Sequence, residues 1–282
     1  MSTLPPAWAG LVDDAAIFPP GDVALPDAVE AYRGRQGEWY ADLVGPLVVT
    51  DTRLPDVPTD LPVAVVLTGG AGAVAGVATL AARKGHRLVA MEAAVRDLDD
   101  PAGNVRRILT AVDAARADGG LEEVEVYVEL PQAEPTAAWL GAADAVAEAE
   151  ARLKFRTGGV EAHLFPDAPT VAAWIDAALD RETSYKCTAG LHHAVRHRDH
   201  ETGFEHHGFL NVLLATRVAF DGGSADEVAA VLDDHYANDL VAMARTSDLA
   251  GARRWFTSYG SCSVSDPLDD LLGLGLLEAP HE

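Results

Sequence analysis

The chain has 282 residues, nearly half of them apolar, and 44 acidic residues against 21 basic ones give it a formal net charge of −23. That charge argues against nucleic acid and membrane partners, because both nucleic acids and anionic membranes bind proteins through basic patches. The two cysteines are too few for a disulfide framework or a cysteine-only zinc site. The N-terminus shows no signal-peptide pattern and no apolar run reaches transmembrane length, so we expect a soluble cytoplasmic protein.

Short apolar runs alternate with alanine-rich segments of helical periodicity along nearly the whole chain. The runs predicted to be buried strands are Gly10–Phe18, Pro46–Asp51, Pro62–Thr68, Arg87–Val95, Glu123–Leu130, Arg152–Thr157, Thr183–Thr188 and Trp255–Ser261. The predicted helices between them are Leu25–Leu43, Gly72–Arg83, Ala102–Ala117, Thr136–Ala149, Thr170–Leu179 and Ala225–Ala244. Eight strands separated by helices predict an α/β protein, a single-domain (β/α)8 TIM barrel spanning residues 1–282. A doubly wound open sheet is the alternative.

Residues 191–208, called the His-rich segment below, interrupt this alternation and predict a long loop inserted after the seventh strand. Its six histidines are His192, His193, His197, His200, His206 and His207. Neutral imidazoles can bind zinc, iron or nickel, so a divalent metal is one hypothesis, although the spacing matches no zinc motif. We favour the other hypothesis, in which no metal or other cofactor is bound and one or two histidines act as acid–base groups. His192 and His193 are best placed for that role, because they directly follow the turn at Gly190.

In such a barrel, side chains near the carboxyl ends of the strands converge on one pocket. The residues predicted to reach it are Asp13 or Asp14, Asp51, Glu92, Glu129, Lys154, Arg156, Lys186 and Ser258. Charged residues inside apolar strands are unfavourable unless they are paired or functional, so their recurrence on successive strands predicts a shared polar site. Asp13 and Asp14 point to opposite faces of an extended strand, so at most one of them can join it. We assign Asp14 to substrate binding.

Lysine is rare in this chain, and Lys154 and Lys186 both end apolar segments that lead into glycine turns. Arginine stays charged, whereas a desolvated lysine can lose its proton and attack a carbonyl to form a Schiff base. If both lysines point inward from adjacent strands, each cation lowers the pKa of the other amine. In the alternative arrangement, Glu92 and Glu129 pair with the two lysines in a buried ionic network. The remaining explanation for these two lysines is that they survived by chance in a lysine-poor chain and have no chemical role.

The order of these motifs resembles that of deoxyribose-phosphate aldolase and related Schiff-base (class I) aldolases. That family is a barrel with an acidic residue on the fourth strand, a glutamate ending the fifth, lysine motifs on the sixth and seventh, and Gly-Thr-Ser on the eighth. The matching stretches are Met-Glu-Ala-Ala-Val around Glu92, Val-Tyr-Val-Glu ending at Glu129, Lys-Phe-Arg-Thr-Gly from Lys154, Lys-Cys-Thr-Ala-Gly from Lys186 and Phe-Thr-Ser-Tyr-Gly from Phe256. The resemblance covers roughly residues 87–190 and a short piece near Ser258.

The resemblance implies that Lys154 is the Schiff-base amine, that Lys186 tunes it, and that Glu92 belongs to the proton relay, with Glu129 beside them. It also implies a group near a substrate phosphate or another anion, namely Gly158, Gly159, Gly190 and Ser258. This chain departs from the family in three places. Arg156 replaces a small polar residue, Glu92 replaces a shorter aspartate, and the His-rich segment has no counterpart.

These observations predict a lysine-dependent aldolase or lyase that acts on a small anionic carbonyl substrate, which could carry a phosphate. Arg156 and the glycine turns would hold the anionic end of that substrate. One alternative is a metal-dependent hydrolase or isomerase that uses the His-rich segment, and another is a non-catalytic ligand-binding protein. Assembly into a homo-oligomer is left open.

Overall fold

Eight parallel strands close into a barrel in the computed structural model, which describes residues 4–119, 121 and 123–280. The eight barrel strands are β1 (Val12–Asp14), β2 (Val44–Thr50), β3 (Pro62–Val66), β4 (Arg87–Ala94), β5 (Glu125–Glu129), β6 (Arg152–Arg156), β7 (Tyr185–Thr188) and β10 (Phe256–Ser261), and two short strands, β8 (His197–Arg198) and β9 (Glu205–His206), lie between β7 and β10 in the chain. The order around the barrel is β1-β10-β7-β6-β5-β4-β3-β2, and β1 pairs with both β10 and β2 to close the ring. Strands β8 and β9 form a separate antiparallel pair within the His-rich segment.

Helices follow most of the barrel strands. They are α1 (Leu25–Arg35), α2 (Val74–Lys84), α3 (Pro101–Ala117), α4 (Ala137–Glu148), α5 (Ala168–Asp180), α6 (Phe209–Phe220), α7 (Ala225–Asp233), α8 (Ala237–Thr246), α9 (Leu249–Ala252) and α10 (Ser265–Gly273). Between β2 and β3 only a 3-10 turn, Leu54–Asp56, is present, which explains why that link is short. The predicted (β/α)8 barrel is confirmed. Within the described residues, no helix has the length and apolarity needed to cross a bilayer.

Several helices differ from the sequence prediction: α1 ends at Arg35 and not at Leu43, and α6, α9 and α10 were not predicted. Helix α6 was not predicted, because its residues from Phe209 to Thr216 are all buried and it therefore lacks the periodic polar face of a surface helix. The predicted helix Ala225–Ala244 is divided into α7 and α8. The buried Asn211 side chain donates hydrogen bonds to the carbonyl oxygens of Val231 (2.7 Å) and Asp234 (2.8 Å), which satisfies the carboxyl end of α7.

The barrel interior has an apolar lower layer. Its members come from β2 to β5 and are Val48, Ala64, Ala90 and Tyr127. Because side chains alternate along a strand, the next inward positions toward the carboxyl ends of β4 and β5 are Glu92 and Glu129. The small side chains of Ala64 on β3 and Ala90 on β4 leave space toward the carboxyl ends of the strands, and long charged side chains fill that space. The fold therefore places the charged residues in the carboxyl-terminal half of the barrel interior.

Candidate active site

Strand register brings the two lysines side by side inside the barrel. Lys154 is the register partner of Lys186 across β6 and β7, and Glu129 is the partner of Lys154 across β5 and β6. Residues that are partners in neighbouring parallel strands point to the same face of the sheet, so these three side chains share the interior. The prediction that both lysines face inward from adjacent strands is therefore met by the geometry.

One carboxylate joins both amines. Glu92 Oε2 lies 2.7 Å from Lys154 Nζ, and Glu92 Oε1 lies 2.6 Å from Lys186 Nζ. Lys154 Nζ is also 2.9 Å from Glu129 Oε2, and Lys186 Nζ forms a second ion pair with Asp13 Oδ2. Each amine is thus held by two carboxylates, and Glu92 is common to both. We call Asp13, Glu92, Glu129, Lys154 and Lys186 the lysine–carboxylate cluster.

The lysine–carboxylate cluster is almost completely shielded from solvent. Lys154 is 3% exposed and Lys186 is 2% exposed, and Glu92 and Asp13 are equally buried. Unpaired charges at such depth would be very unfavourable, and several hydrogen bonds to each charge offset that desolvation. Tyr127 closes the floor, with its ring centre 5.2 Å from Lys186 Nζ. The protein therefore holds its two buried amines in fixed positions among buried carboxylates.

Both amines are held in the protonated state. Burial lowers the pKa of Lys154, but Glu129 and Glu92 outweigh burial and the nearby Lys186, so the net pKa lies above its ordinary value. The pKa of Lys186 is likewise raised, because Asp13 and Glu92 outweigh its burial. The expectation that the lysine pair depresses an amine pKa is wrong for this arrangement. Mutual repulsion is present, but the carboxylates contribute more.

The carboxylates differ from one another in their proton affinity. Burial alone would raise the pKa of Glu92, but Lys154 and Lys186 reverse the effect and lower it to about 2. The same holds for Glu129: Lys154 and Arg156 lower its pKa although burial alone would raise it. At Asp13 the burial effect prevails over Lys186, and the pKa is raised. Asp13 is therefore the carboxylate of the cluster that takes up a proton most readily.

Arg156 lies at the rim of the lysine–carboxylate cluster. Its Nε donates a hydrogen bond to Glu129 Oε1 at 2.8 Å, on the other oxygen of the carboxylate that binds Lys154. The Arg156 side chain is 38% exposed, whereas that of Lys154 is 4% exposed. Arg156 follows Lys154 by two positions on β6, so the inward-pointing amine and the guanidinium that reaches solvent lie on the same face of the strand. Arg156 is accordingly a partly exposed cation beside the buried Lys154.

The glycine turns after β6 and β7 pack against each other. A Cβ at Gly158 would come within 2.9 Å of both Gly190 Cα and Phe165 Cε1, and a Cβ at Gly159 would come within 2.4 Å of Leu164 Cδ1. Gly190 has φ +81°, a conformation that favours glycine. The structure thus accounts for these glycines by close packing of two loops. An anion-binding role for Gly158, Gly159 and Gly190 stays a prediction.

Substituting Gly158 with alanine is expected to destabilise the protein by roughly 1–3 kcal/mol, because the added methyl group meets the Gly190 backbone as well as the Phe165 ring. The matched control is Gly141→Ala in the middle of α4, where a Cβ meets nothing within 4 Å. That control should leave the protein about 0.5–1 kcal/mol more stable, as alanine is the better helix former. Urea unfolding of both variants measures the difference. Equal stability of the two variants would contradict the close loop packing.

Two predicted substrate-binding residues lie away from their expected places. Ser258 donates a hydrogen bond to Asp13 Oδ2 at 2.9 Å, so it lies at the depth of the lysines and not at the strand end. Asp14 accepts a 2.5 Å hydrogen bond from Arg35 on α1 and another from the Ala16 amide, on the face of β1 opposite to Asp13. The assignment of Asp14 to the pocket is corrected to Asp13. The strand alternation required one of the two, and only the barrel closure shows which one.

Asp51 is also engaged elsewhere. Its carboxylate accepts hydrogen bonds from the Thr68 hydroxyl at 2.6 Å and from the Thr68 amide at 3.0 Å, which ties the end of β2 to the end of β3.

Tyr127 was not singled out from the sequence, although it lies two residues before Glu129 on the same face of β5. The period-two alternation that placed Glu129 inside the barrel could have placed Tyr127 there as well.

The histidines do not enter the lysine–carboxylate cluster. His192 lies beside Cys262 (3.9 Å to Sγ) and Asp266 (3.8 Å), and His193 lies 3.2 Å from Asp270 near the start and middle of α10. The structure shows no contact of either residue with Lys154 or Lys186 in the described part of the chain. Their predicted acid–base roles have no geometric support, because these side chains face α10 and not the barrel axis.

Two of the remaining histidines, His197 and His206, pack against other aromatic rings. His197 has its ring centre 4.7 Å from that of His193 and 5.2 Å from that of His206, which in turn packs on Phe165 at 4.4 Å. Burial lowers the pKa of His197 and of His206, so both rings are neutral near pH 7. Among the described residues, no three His, Cys, Asp or Glu side chains are grouped as a metal ion would require. The metal hypothesis for the His-rich segment therefore gains no support.

Fold and site together define a (β/α)8 barrel with a buried lysine pair bridged by carboxylates in the carboxyl-terminal half of its interior. Among solved structures, the deoxyribose phosphate aldolase of Aeropyrum pernix, described as a tetramer, matches with a TM-score of 0.59 and 14% identity over 96% of this chain and 93% of that chain. The aldolase QR15 matches with a TM-score of 0.56 and 11% identity over 95% of this chain and 97% of its own.

At these identities the similarity establishes the fold, and it confirms the distant resemblance that the motifs indicated. No family model matches the sequence, and no curated protein matches it either. Because a shared fold does not determine the reaction, the chemistry of this chain depends on its own residues.

Proposed function

We propose that the chain is a lysine-dependent aldolase or lyase that forms a Schiff base between Lys154 and a small anionic carbonyl substrate. The observation that carries this proposal is the bridged lysine pair, in which one buried carboxylate, Glu92, contacts both amines. Such an arrangement gives each amine a proton acceptor within hydrogen-bond distance. The similarity to aldolase barrels supports the proposal at the level of the fold.

The first step requires a neutral amine. Lys154 passes a proton through Glu92 and Lys186 to Asp13, the carboxylate of the cluster whose pKa is raised, and the freed nitrogen lone pair attacks the carbonyl carbon of the substrate. The carbonyl π electrons move to oxygen, which takes up a proton to give a carbinolamine. Loss of water then leaves the positively charged imine on Lys154, and a second water molecule reverses these steps to release the product.

Lys186 and Asp13 are placed to move the protons of this sequence. Lys186 contacts both Glu92 and Asp13, so a proton can pass along the cluster from one carboxylate to the other. Asp13 has the raised pKa needed for an acceptor. Lys186 therefore acts as a charged proton carrier in this proposal. Its tuning effect on Lys154 is exceeded by the carboxylates.

Covalent labelling by borohydride reduction tests the proposal. The protein is incubated with a panel of aldehydes and ketones, reduced, digested and mapped by mass spectrometry. We expect an adduct on Lys154, since reduction converts the imine to a stable secondary amine. If no lysine is labelled by any carbonyl compound, the cluster is a structural ionic network and the ligand-binding alternative is favoured.

The rate of labelling should increase with pH. Since the pKa of Lys154 lies above its ordinary value, the neutral amine is a small minority at pH 7 and grows about tenfold per pH unit up to the stability limit of the protein. In Glu129→Gln one of the carboxylates that raise this pKa is removed, so the same rate should be reached at lower pH. A rate that levels off near pH 7 in the wild type would show that the resting amine is already neutral.

The partners that follow from this proposal are a small anionic carbonyl compound and no nucleic acid or membrane. The proposal needs no metal and no organic cofactor, because the amine itself activates the carbonyl. Assembly into a homo-oligomer stays a prediction, as the tetramer is a property of the Aeropyrum pernix protein. Gel filtration coupled to light scattering measures the assembly of this chain directly.

A further inference from the structure

We propose that the substrate is a 2-oxo acid whose carboxylate binds Arg156 while its neighbouring carbonyl carbon reacts with Lys154. This inference rests on the proposed Schiff-base function and adds the chemical class of the substrate. It makes Arg156 the residue that determines specificity, although Arg156 itself takes no part in bond formation.

The first support is the spacing of the two cations. Lys154 and Arg156 are two residues apart on the same face of β6, which separates their backbones by roughly 7 Å. Their charged ends lie at the same carboxylate: Lys154 Nζ is 2.9 Å from Glu129 Oε2 and Arg156 Nε is 2.8 Å from Oε1. A substrate with its carboxylate bonded directly to the carbonyl carbon fits that separation. A phosphate several bonds from the carbonyl would have to bind farther away.

The second support is the unused donors of Arg156. The ion pair with Glu129 occupies Nε, and in the described part of the chain neither terminal nitrogen, Nη1 or Nη2, has a hydrogen-bond partner. The side chain is 38% exposed at the carboxyl end of β6. A guanidinium with free terminal nitrogens presents two parallel N–H groups, which is the geometry that a carboxylate accepts.

The third support comes from Ser258, whose hydroxyl could otherwise hold a distal phosphate. Its Oγ donates a hydrogen bond to Asp13 Oδ2 at 2.9 Å, at the depth of the lysines. That hydroxyl is thus committed to a contact within the chain, whereas Arg156 keeps donors free next to the reactive amine.

The reaction balances with the groups present. After the imine forms at C2, a carboxylate of the cluster removes a proton from C3, and the C3–H electrons form the C2–C3 double bond while the C=N electrons return to nitrogen. The resulting enamine carbon attacks an aldehyde, whose oxygen takes up the proton, and water then releases the product. The carboxylate at C1 is unchanged throughout and stays on Arg156.

The test compares borohydride labelling of Lys154 by pyruvate, acetaldehyde and dihydroxyacetone phosphate. In the wild type, pyruvate should label at a concentration at least about tenfold lower than either of the others, as expected for a bidentate charged contact. In Arg156→Ser, the concentration of pyruvate needed should rise at least about tenfold more than that of acetaldehyde, which has no carboxylate to bind Arg156. Arg156→Lys should fall between them, because it keeps the charge and loses the planar fork. If the serine variant does not fold, Arg156→Lys alone tests whether the guanidinium is needed.

The control is Arg96→Ser, which removes an exposed cation just after β4 and should leave all three labelling concentrations unchanged. Equal effects of Arg156→Ser on pyruvate and acetaldehyde, or tighter labelling by dihydroxyacetone phosphate, would overturn the 2-oxo acid assignment while the Schiff-base proposal stands. Absence of label from every compound in the wild type would overturn the Schiff-base proposal itself, and this inference with it.

Discussion

Replacing Lys154 with arginine should abolish borohydride labelling and lower carbonyl-dependent activity by at least about a thousandfold, the scale seen when a covalent nucleophile is removed. Arginine preserves a positive charge between Glu92 and Glu129 but cannot form an imine. The loss would therefore report the amine chemistry, and retained stability would exclude loss of the fold. Labelling stoichiometry by intact mass and activity with the best carbonyl substrate measure the effect.

The other two lysines supply matched controls, because the chain contains three in all. Lys84 lies on the surface at the end of α2, where its amine donates to the Pro55 carbonyl oxygen at 2.9 Å, so Lys84→Arg should behave as wild type. Lys186→Arg should still be labelled on Lys154, at a reduced rate, since proton transfer through Lys186 is impaired. If Lys154→Arg keeps full activity and becomes labelled on Lys186, the roles of the two lysines are reversed.

Replacing Glu92 with glutamine should lower the free energy of unfolding by about 3–5 kcal/mol, the range for breaking a buried ion pair. Glu92 contacts both lysine amines through both of its oxygens, and a neutral amide would leave two buried ammonium groups with one carboxylate each. Asp60→Asn breaks the exposed Arg33–Asp60 pair and should change the melting temperature little. Equal melting temperatures for the two variants would contradict the structural role of Glu92.

The same variant should change how stability depends on pH. The pKa of Glu92 is about 2 in the folded protein and near its ordinary value when unfolded, so the unfolded state binds the proton more readily. The contribution of Glu92 is therefore complete above about pH 4.5 and is lost as the pH falls toward 2. The wild type should lose stability over that interval, and Glu92→Gln should lose less. Parallel curves for both proteins would mean that other groups govern acid unfolding.

The barrel was predictable because its signals are local. Apolar runs alternating with alanine-rich helices indicate eight strands and their connections, and a charged residue such as Glu92 in an apolar strand stands out in the sequence. Helix α6 was not predicted from the sequence, because burial on all sides removes the periodic pattern that identifies surface helices. The break between α7 and α8 depends on the Asn211 side chain, which comes from a different helix.

The members of the lysine–carboxylate cluster were predicted more fully than its electrostatics. The two lysines, Glu92 and Glu129 were identified from their strands, but the sign of the lysine pKa shift was predicted incorrectly. The sign depends on how many carboxylates reach each amine, and the sequence does not give that number. Likewise, the choice between Asp13 and Asp14 follows from which face of β1 turns inward when β1 closes on β10.

The amino-acid sequence by itself determined the eight-stranded barrel, the strands that carry charge, and the scarcity of lysine that makes Lys154 and Lys186 notable. The tertiary structure decided the partner of each charge. Asp13 and Lys186 are 173 positions apart in the chain and form one ion pair, and Glu92 reaches both lysines from a third strand. Strand periodicity is a local property that can be seen directly in the sequence. The ion pairs of the cluster depend on distances between residues of different strands, and those distances are set only when the barrel closes.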